Sequence, residues 1–182
     1  MSLIEALKGM FGSYKPDSYP SNREDYFPSE SDPHASLVSA NDIPIAHTPT
    51  GGYKKFPPPI LAGCTEPISY GIPDMRGVWQ VYKGVMKGHI ERIEQCGNRI
   101  VITGFNVIHD MRADGTIANG IHDVSKKGKT IIRIVEVIDG RLEMRHQDGT
   151  VLESLWLEGD KLIYKVGPSI NKMRRIYGPP KR

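Results

Sequence analysis

Residues 130–166 read TIIRIVEVIDGRLEMRHQDGTVLESLWLEGDKLIYKV. Three turn signals, Asp139-Gly140, Asp148-Gly149 and Glu158-Gly159-Asp160, divide this stretch into four runs rich in Val, Ile, Leu and aromatic residues. Asp-Gly pairs favour tight hairpin turns because glycine, and more tolerantly aspartate, adopts the positive φ that such turns need. The stretch therefore predicts four consecutive antiparallel strands.

The same pattern continues outward over the C-terminal part of the chain. Asp114-Gly115 and Cys96-Gly97-Asn98 supply further turns, and no run between them has helical periodicity. We expect ten strands, at residues 78–85, 89–95, 99–103, 105–112, 116–124, 130–138, 141–147, 151–157, 161–166 and 172–176. An all-β, antiparallel up-and-down barrel is predicted, since closure removes exposed strand edges. A two-sheet sandwich is the alternative.

Proline marks the boundary of this domain. Eleven of the 14 prolines lie at or before Pro73, and a paired strand excludes proline because proline cannot donate to the ladder. We therefore predict an irregular, proline-rich N-terminal arm over residues 1–72 and a barrel domain over residues 73–182. An amphipathic pattern predicts a short helix at residues 2–12 of the arm. The Pro57–Pro59 run either binds a proline-recognition domain or lies extended on the protein's own surface.

Composition excludes several classes of protein. An apolar share of 38% and a charged share of 25% argue against global disorder, and no segment approaches the ~20 apolar residues of a membrane span. The basic C-terminal end lacks the aromatic platform of a nucleic-acid binder, so no nucleic acid is expected. Without a basic N-terminal region typical of a secretory signal, we expect a cytoplasmic protein in which Cys64 and Cys96 are reduced.

The ends of the barrel domain carry a family resemblance. Gly77-x-Trp79 opens the first strand, and Arg174 and Arg175 lie near the end of the last. This resembles the lipocalin/calycin superfamily of ligand-binding barrels. The resemblance implies that Gly77 and Trp79 form the barrel floor, and that Arg174 or Arg175 covers the indole ring through a cation–π contact.

Alternation along the strands decides which polar residues can act together. Successive side chains of a barrel strand point in and out, so sequence neighbours such as His109-Asp110 cannot form a catalytic pair. Pairing across the Asp114-Gly115 turn would place His109 and His122 on one face. With a glutamate such as Glu91, these histidines are the candidate catalytic residues for acid–base chemistry.

Aromatic, methionine and histidine side chains on the strands are candidates for a ligand pocket. Adaptable methionines and amphipathic aromatic rings suit an apolar cavity with a few polar groups. The candidate ligand-binding residues are Tyr82, His89, Met111, Trp156 and Tyr164.

Three functions are consistent with these features. The first is a lipocalin-like barrel that binds a small, largely apolar molecule. The second is a cofactor-independent isomerase, cyclase, hydratase or lyase acting on a hydrophobic substrate in the same cavity. The third is an assembly or adaptor role, in which the arm binds a partner or forms a homo-oligomer. A related role of the arm, compatible with the other two functions, is a lid over the barrel mouth. No cofactor or metal is predicted; haem or a metal ion is left open. The first function is our prediction, and whether the protein is an enzyme stays undecided.

Overall fold

The computed structural model of the protein describes residues 38–53, 55–124 and 130–178. Within these ranges the chain forms strands and connecting loops, with no helix. The strands are β1 (Gly77–Lys83), β2 (Ile90–Cys96), β3 (Arg99–Gly104), β4 (Val107–Arg112), β5 (Ile121–Val124), β6 (Thr130–Ile138), β7 (Arg141–Arg145), β8 (Val151–Glu158), β9 (Lys161–Val166) and β10 (Ser169–Tyr177). The helix predicted at residues 2–12 lies outside the described residues.

All ten strands belong to one antiparallel sheet that curls into a nearly closed up-and-down barrel. The sheet order is β4-β3-β2-β1-β10-β9-β8-β7-β6-β5, so every sequential pair of strands is hydrogen-bonded except β4 with β5, and β1 pairs with β10. Between β4 and β5 the barrel is joined by isolated contacts. Arg112 N–H donates to the Asn119 carbonyl at 2.7 Å, and Asp114 forms a single bridge with Glu136. The predicted all-β, up-and-down barrel is confirmed, rather than a sandwich.

One predicted strand is much shorter than expected. The sequence predicts a strand over residues 116–124, but the strand begins only at Ile121. Asp114 explains the difference, because its carboxylate accepts from the Thr116 amide and hydroxyl and from the Asn119 side-chain amide. These bonds hold the residues between Asp114 and the start of β5 in a compact loop. Across the opening, β4 and β5 therefore form no hairpin.

The barrel interior is filled mainly by apolar side chains, and all ten strands contribute to it. Alternate residues point inward, as strand geometry requires. Its buried residues are Met75, Trp79, Val81, Ile93, Ile100, Ile102, Met111, Ile121, Val135, Leu142, Met144, Leu155, Leu162, Tyr164, Val166 and Met173.

The described part of the arm, residues 38–53 and 55–72, covers the outer face of β1–β4 and creates a second core. Its buried members are Ala40, Tyr53, Phe56, Leu61, Val78, Cys96, Val101 and Ile108. Strands β2 and β3 are consequently buried on both faces. The charged residues of β2 are therefore buried on both faces, with Glu91, Arg92 and Glu94 3%, 0% and 5% exposed.

Buried arginines fasten the arm to the sheet. Arg92 donates to the carbonyls of Pro57 and Pro58 at 2.8 Å each, and its Nε donates to Glu94 at 2.9 Å. Glu94 in turn accepts from the Leu61 amide at 2.8 Å. Burial raises the pKa of Glu94, and the neighbouring Arg92 charge offsets part of that effect. The proline run thus lies extended on the protein's own surface, where its carbonyls satisfy a buried cation.

Cys64 in the arm and Cys96 at the end of β2 form a disulfide, with their Cα atoms 6.3 Å apart. The expectation that both are reduced is therefore wrong. The arm places the two residues side by side, which their spacing of 32 positions could not reveal. Disulfides are typical of oxidising compartments, so cytoplasmic localisation stays a prediction. In the described ranges, no helix has the length and apolarity to cross a membrane.

Candidate functional site

The end of the barrel where β1 begins and β10 finishes is closed by a tryptophan. Trp79 is fully buried, its indole N–H donates to the Met75 carbonyl at 2.8 Å, and the Arg175 guanidinium lies over its ring at 4.5 Å. A side chain at Gly77 would lie 3.1 Å from Arg175 and 3.0 Å from the Tyr177 carbonyl. Glycine at the start of β1 therefore lets the last strand close over the floor.

Arg174, the neighbour of Arg175, takes no part in this closure. It points outward and donates to the Gln80 side chain at 2.7 Å. Strand alternation separates the two arginines, and the sequence alone left both as candidates for the floor. A cavity of about 210 Å³ lies beside the floor, lined by Trp79, Gly159, Asp160, Lys161, Arg174 and Arg175.

A polar cluster occupies the barrel interior beside the β3–β4 turn, at the end that we call the mouth; Glu91 in this cluster is the strand-register partner of Trp79. Glu91 of β2, His109 of β4, Glu153 of β8 and Tyr164 of β9 line one cavity there. The Tyr164 hydroxyl donates to Glu153 Oε2 at 2.6 Å. Apolar walls from Ile102, Met144 and Leu155 surround these groups. Acidic and basic side chains from four strands are thereby collected in a low-dielectric environment.

One atom of this cluster, Glu91 Oε1, and one atom beside it, His89 Nε2, are buried without a hydrogen-bond partner among the described residues. His89 Nε2 lies 3.6 Å from Glu91 Oε2, which is too long for a hydrogen bond. The two side chains are only 10% and 4% exposed. A buried polar atom that lacks a partner costs about 1–3 kcal/mol. Such a cost points to a function or to an absent partner molecule.

The ring of Phe105 closes the cavity near His89. The two rings are stacked, with centroids 3.4 Å apart and planes 12° from parallel. Phe105 and Asn106 have φ values of 47° and 67° in the β3–β4 turn, a left-handed conformation that is uncommon for a bulky residue. Gly104 supplies the space, because a Cβ there would lie 2.9 Å from Glu91 Cβ and 3.1 Å from His89 Nε2.

Electrostatics reflect the crowding of acids in this cavity. Burial raises the pKa of Tyr164 well above its usual value, and the nearby carboxylates of Glu153 and Glu91 raise it further. The phenol therefore stays protonated at neutral pH and acts as a hydrogen-bond donor. The lining contains the acidic residues Glu91 and Glu153 and the imidazole of His109, and no Lys or Arg.

The cavity is small in this conformation. Its volume is about 20 Å³. That is room for about one water molecule, whereas pockets for drug-sized ligands are typically ~300–1,000 Å³. A porphyrin does not fit. Any organic ligand larger than a few atoms requires the Phe105 ring, or adaptable residues such as Met144, to move.

The structure separates the residues that the sequence proposed for the site. It brings Glu91, His109, His89 and Tyr164 to the mouth end of the barrel. His122 is exposed on the other side of the strand from buried Ile121, with its Nε2 2.6 Å from the Ile117 carbonyl. The structure therefore does not bring His109 and His122 together. The expected symmetric hairpin across Asp114-Gly115 is absent.

The remaining candidates lie in three different environments. Tyr82 is 36% exposed near the end of β1. Trp156 lies on the outer face, with the Arg141 guanidinium 4.5 Å from its ring centre. Met111 is buried in the interior core. It also lines a second cavity of about 160 Å³, which His47, Asn119 and His122 border at the opening between β4 and β5.

Two site residues were not identified from the sequence, Glu153 and Phe105. Glu153 alternates with Leu155 and Leu157, and this pattern alone places it on the inward face of its strand. The signal was therefore available. Phe105 carried no such signal, because its position depends on a turn conformation that favours glycine or asparagine.

Three potential metal ligands meet outside the barrel, where Cys64, Glu66 and Cys96 offer ligand atoms within 4.8 Å of one another. The two sulfurs are bonded to each other in this structure, and a metal needs them as thiolates. The Glu66 carboxylate accepts hydrogen bonds from the Ala40 amide and the Ser39 hydroxyl. With the disulfide formed, Cys64, Glu66 and Cys96 link the arm to the barrel.

Comparison with known proteins adds no family assignment: no family model matches the sequence, and no curated protein matches it. The geometry alone defines the class. The described chain is a nearly closed, ten-stranded antiparallel barrel that is compatible with a calycin-like fold. It carries a buried polar cluster at one end of an otherwise apolar interior.

Proposed function

We propose that the protein binds a small, largely apolar molecule inside the barrel, at its mouth end. The observation that carries the proposal is the pair of buried atoms without partners, Glu91 Oε1 and His89 Nε2, beside an apolar wall. A ligand with one polar group and an apolar body would satisfy these atoms and contact Ile102, Met144 and Leu155. A few polar groups in an apolar pocket are the usual composition of a small-molecule site.

Entry of this ligand requires the Phe105 ring to leave its stack with His89. Phe105 is partly exposed and lies in a two-residue turn, so its ring can rotate toward solvent without disturbing the strands. The space that the ring vacates adds to the small cavity. Phe105 would thus act as a gate at the mouth.

Native mass spectrometry of the purified full-length protein, followed by solvent extraction, tests the proposal. We expect an adduct that denaturation releases, or binding of small apolar compounds that shifts the NMR signals of Glu91, His109 and Tyr164. Glu91→Gln should weaken binding, and Asp139→Asn is a matched control at an exposed turn. If no compound in a broad panel perturbs the interior signals, the proposal is wrong.

A second candidate function is acid–base catalysis in the same cavity. The specific observation in its favour is that Glu91, His109 and Tyr164 line one enclosed space, where a base and a donor would face a bound substrate. Incubation of the protein with small ketones in D₂O tests for proton abstraction next to a carbonyl. If the protein is such an enzyme, the proton next to the carbonyl should exchange for deuterium, and Glu91→Gln should abolish this exchange. Exchange no faster than in buffer counts against it.

A further inference from the structure

The cavity at the mouth has an unusual charge for a site that holds apolar molecules. Its lining contains two carboxylates, Glu91 and Glu153, and no Lys or Arg. A ligand carboxylate would therefore meet two like charges in a low-dielectric space, which disfavours its binding. The charge of the lining thus narrows the ligand class that the proposed function allows.

Building on the proposed function, we infer that the polar group of the ligand is a protonated amine. Glu91 Oε1 is buried, has no partner in the described chain and faces this cavity. An ammonium carries three N–H donors and no acceptor, so it complements carboxylate oxygens. A hydrogen bond between two ionised groups is roughly twice as strong as a neutral one.

The other carboxylate is already partly satisfied, and this gives the two acids different roles. Glu153 accepts from the Tyr164 hydroxyl at 2.6 Å through Oε2. This bond fixes the orientation of Glu153 and leaves its second oxygen able to accept from an ammonium. In Glu91, Oε1 has no hydrogen-bond partner among the described residues, and Oε2 lies 3.6 Å from His89 Nε2. Glu91 is therefore the primary contact, and Glu153 is a supporting one.

The apolar part of the ligand is expected beside Phe105. The stacking of this ring on His89 at 3.4 Å shows that the mouth accommodates a flat aromatic group. A ligand with a planar apolar body could take the place of the Phe105 ring while its ammonium reaches Glu91. Small arylalkylamines meet both conditions.

A matched series of benzylamine, benzyl alcohol and benzoate tests the inference, since the three share a ring and differ in charge. Each is titrated into the full-length protein, and into Phe105→Asn, by calorimetry and NMR with EDTA present. We expect benzylamine to bind about tenfold more tightly than benzyl alcohol, with benzoate weakest, because charge-assisted hydrogen bonds are the stronger ones. Glu91→Gln should remove this preference and leave benzyl alcohol binding within about twofold.

The outcomes separate the inference from the function on which it rests. If none of the three compounds binds to either protein, the proposed function fails. If benzyl alcohol or benzoate binds as tightly as benzylamine, binding stands and the amine inference is overturned. Zinc chloride, added without EDTA, is a further arm; displacement of benzylamine by zinc at equimolar concentration would make the cluster a metal site and overturn the inference. Glu153→Gln provides a second variant if Glu91→Gln does not fold, and it should weaken benzylamine selectively.

Discussion

Arg99 and Asp110 form a two-pronged ion pair that is almost completely buried. Arg99 Nε donates to Asp110 Oδ1 at 2.8 Å and Nη2 donates to Oδ2 at 2.7 Å, with each side chain 2% exposed. The remaining donors of Arg99 reach the carbonyls of Ala40, Ile43 and Pro44. One guanidinium thus joins β3, β4 and the arm.

Asp110→Ala should destabilise the fold by about 3–5 kcal/mol, because it leaves the Arg99 charge buried without its partner. The Ala46 amide, which donates to Asp110 at 2.8 Å, also loses its acceptor. Urea denaturation of the variant measures the free energy of unfolding. Arg174→Ala, at an exposed arginine, is the control and should change this free energy by less than about 0.5 kcal/mol. Equal losses in both variants would contradict the importance of the pair.

Arg175→Ala should cost about 0.5–2 kcal/mol of stability, the range of a cation–π contact with partial burial. The guanidinium lies 4.5 Å from the Trp79 ring centre, so its removal also exposes the indole to water. In a Trp156→Phe background, Trp79 is the only tryptophan, and its fluorescence should shift to longer wavelength. Arg174→Ala in the same background should leave the emission unchanged; a shift of equal size there would show that the stack is not responsible.

Phe105→Asn should open the mouth at little cost in stability. Asparagine tolerates the left-handed φ of 47° at this position better than phenylalanine does, which offsets the lost stacking to within about 1 kcal/mol. His89, now 10% exposed, should react faster with diethyl pyrocarbonate, as mapped by mass spectrometry. Exposed His122 is the internal reference. An unchanged rate at His89 would mean that Phe105 does not close the mouth.

Glu66→Gln should destabilise the protein at neutral pH but not in acid. The Ala40 amide and then the Ser39 hydroxyl hold the pKa of Glu66 below its usual value of 4.5. A carboxyl with a lowered folded-state pKa contributes stability that is complete above its unfolded-state value. This contribution is lost as the pH falls through the folded-state value. The difference in melting temperature between wild type and variant should therefore shrink below about pH 4.5. A difference independent of pH would refute the assignment.

Reduction of the Cys64–Cys96 disulfide should lower stability by about 3–4 kcal/mol, the chain-entropy estimate for a loop of this length. Thermal denaturation with and without dithiothreitol measures the effect. The Cys64→Ser/Cys96→Ser double variant should melt at the lower temperature and be insensitive to the reductant. If wild type is also insensitive while thiol titration shows full reduction, the crosslink does not stabilise the arm.

Much of the barrel follows from local features of the chain. The Asp139-Gly140 turn separates β6 from β7 where the sequence predicts it, because hairpin turns and strand alternation depend on residues close in sequence. The opening between β4 and β5 could not be predicted from local features. The Asp114 side chain forms hydrogen bonds to Thr116 and Asn119 and holds the residues before β5 in a loop. A hydrophobic pattern does not reveal where side-chain hydrogen bonds replace the backbone bonds of a strand.

The candidate site could be predicted from the sequence only in part, because it also depends on contacts between distant residues. Alternation shows that only one of His109 and Asp110 can face the interior, but a single strand does not show which face is inward or which residues meet across the barrel. The contact of Tyr164 with Glu153 depends on the pairing of β8 with β9, and their proximity to Glu91 depends on closure of the sheet through β1 and β10. Closure relates residues far apart in the chain.

The sequence by itself determined the all-β class, the ten strands and most turns between them, since each rests on side-chain periodicity and turn chemistry within a few residues. The tertiary structure decided that Arg175 rather than Arg174 covers Trp79, that Arg99 and Asp110 bind the arm, and that Glu91 Oε1 lies buried without a partner among the described residues. Those outcomes depend on which segments, far apart in the sequence, pack together and bury each other's side chains. Burial makes an unpaired carboxylate oxygen costly, and its position relative to other strands is a property of the closed barrel.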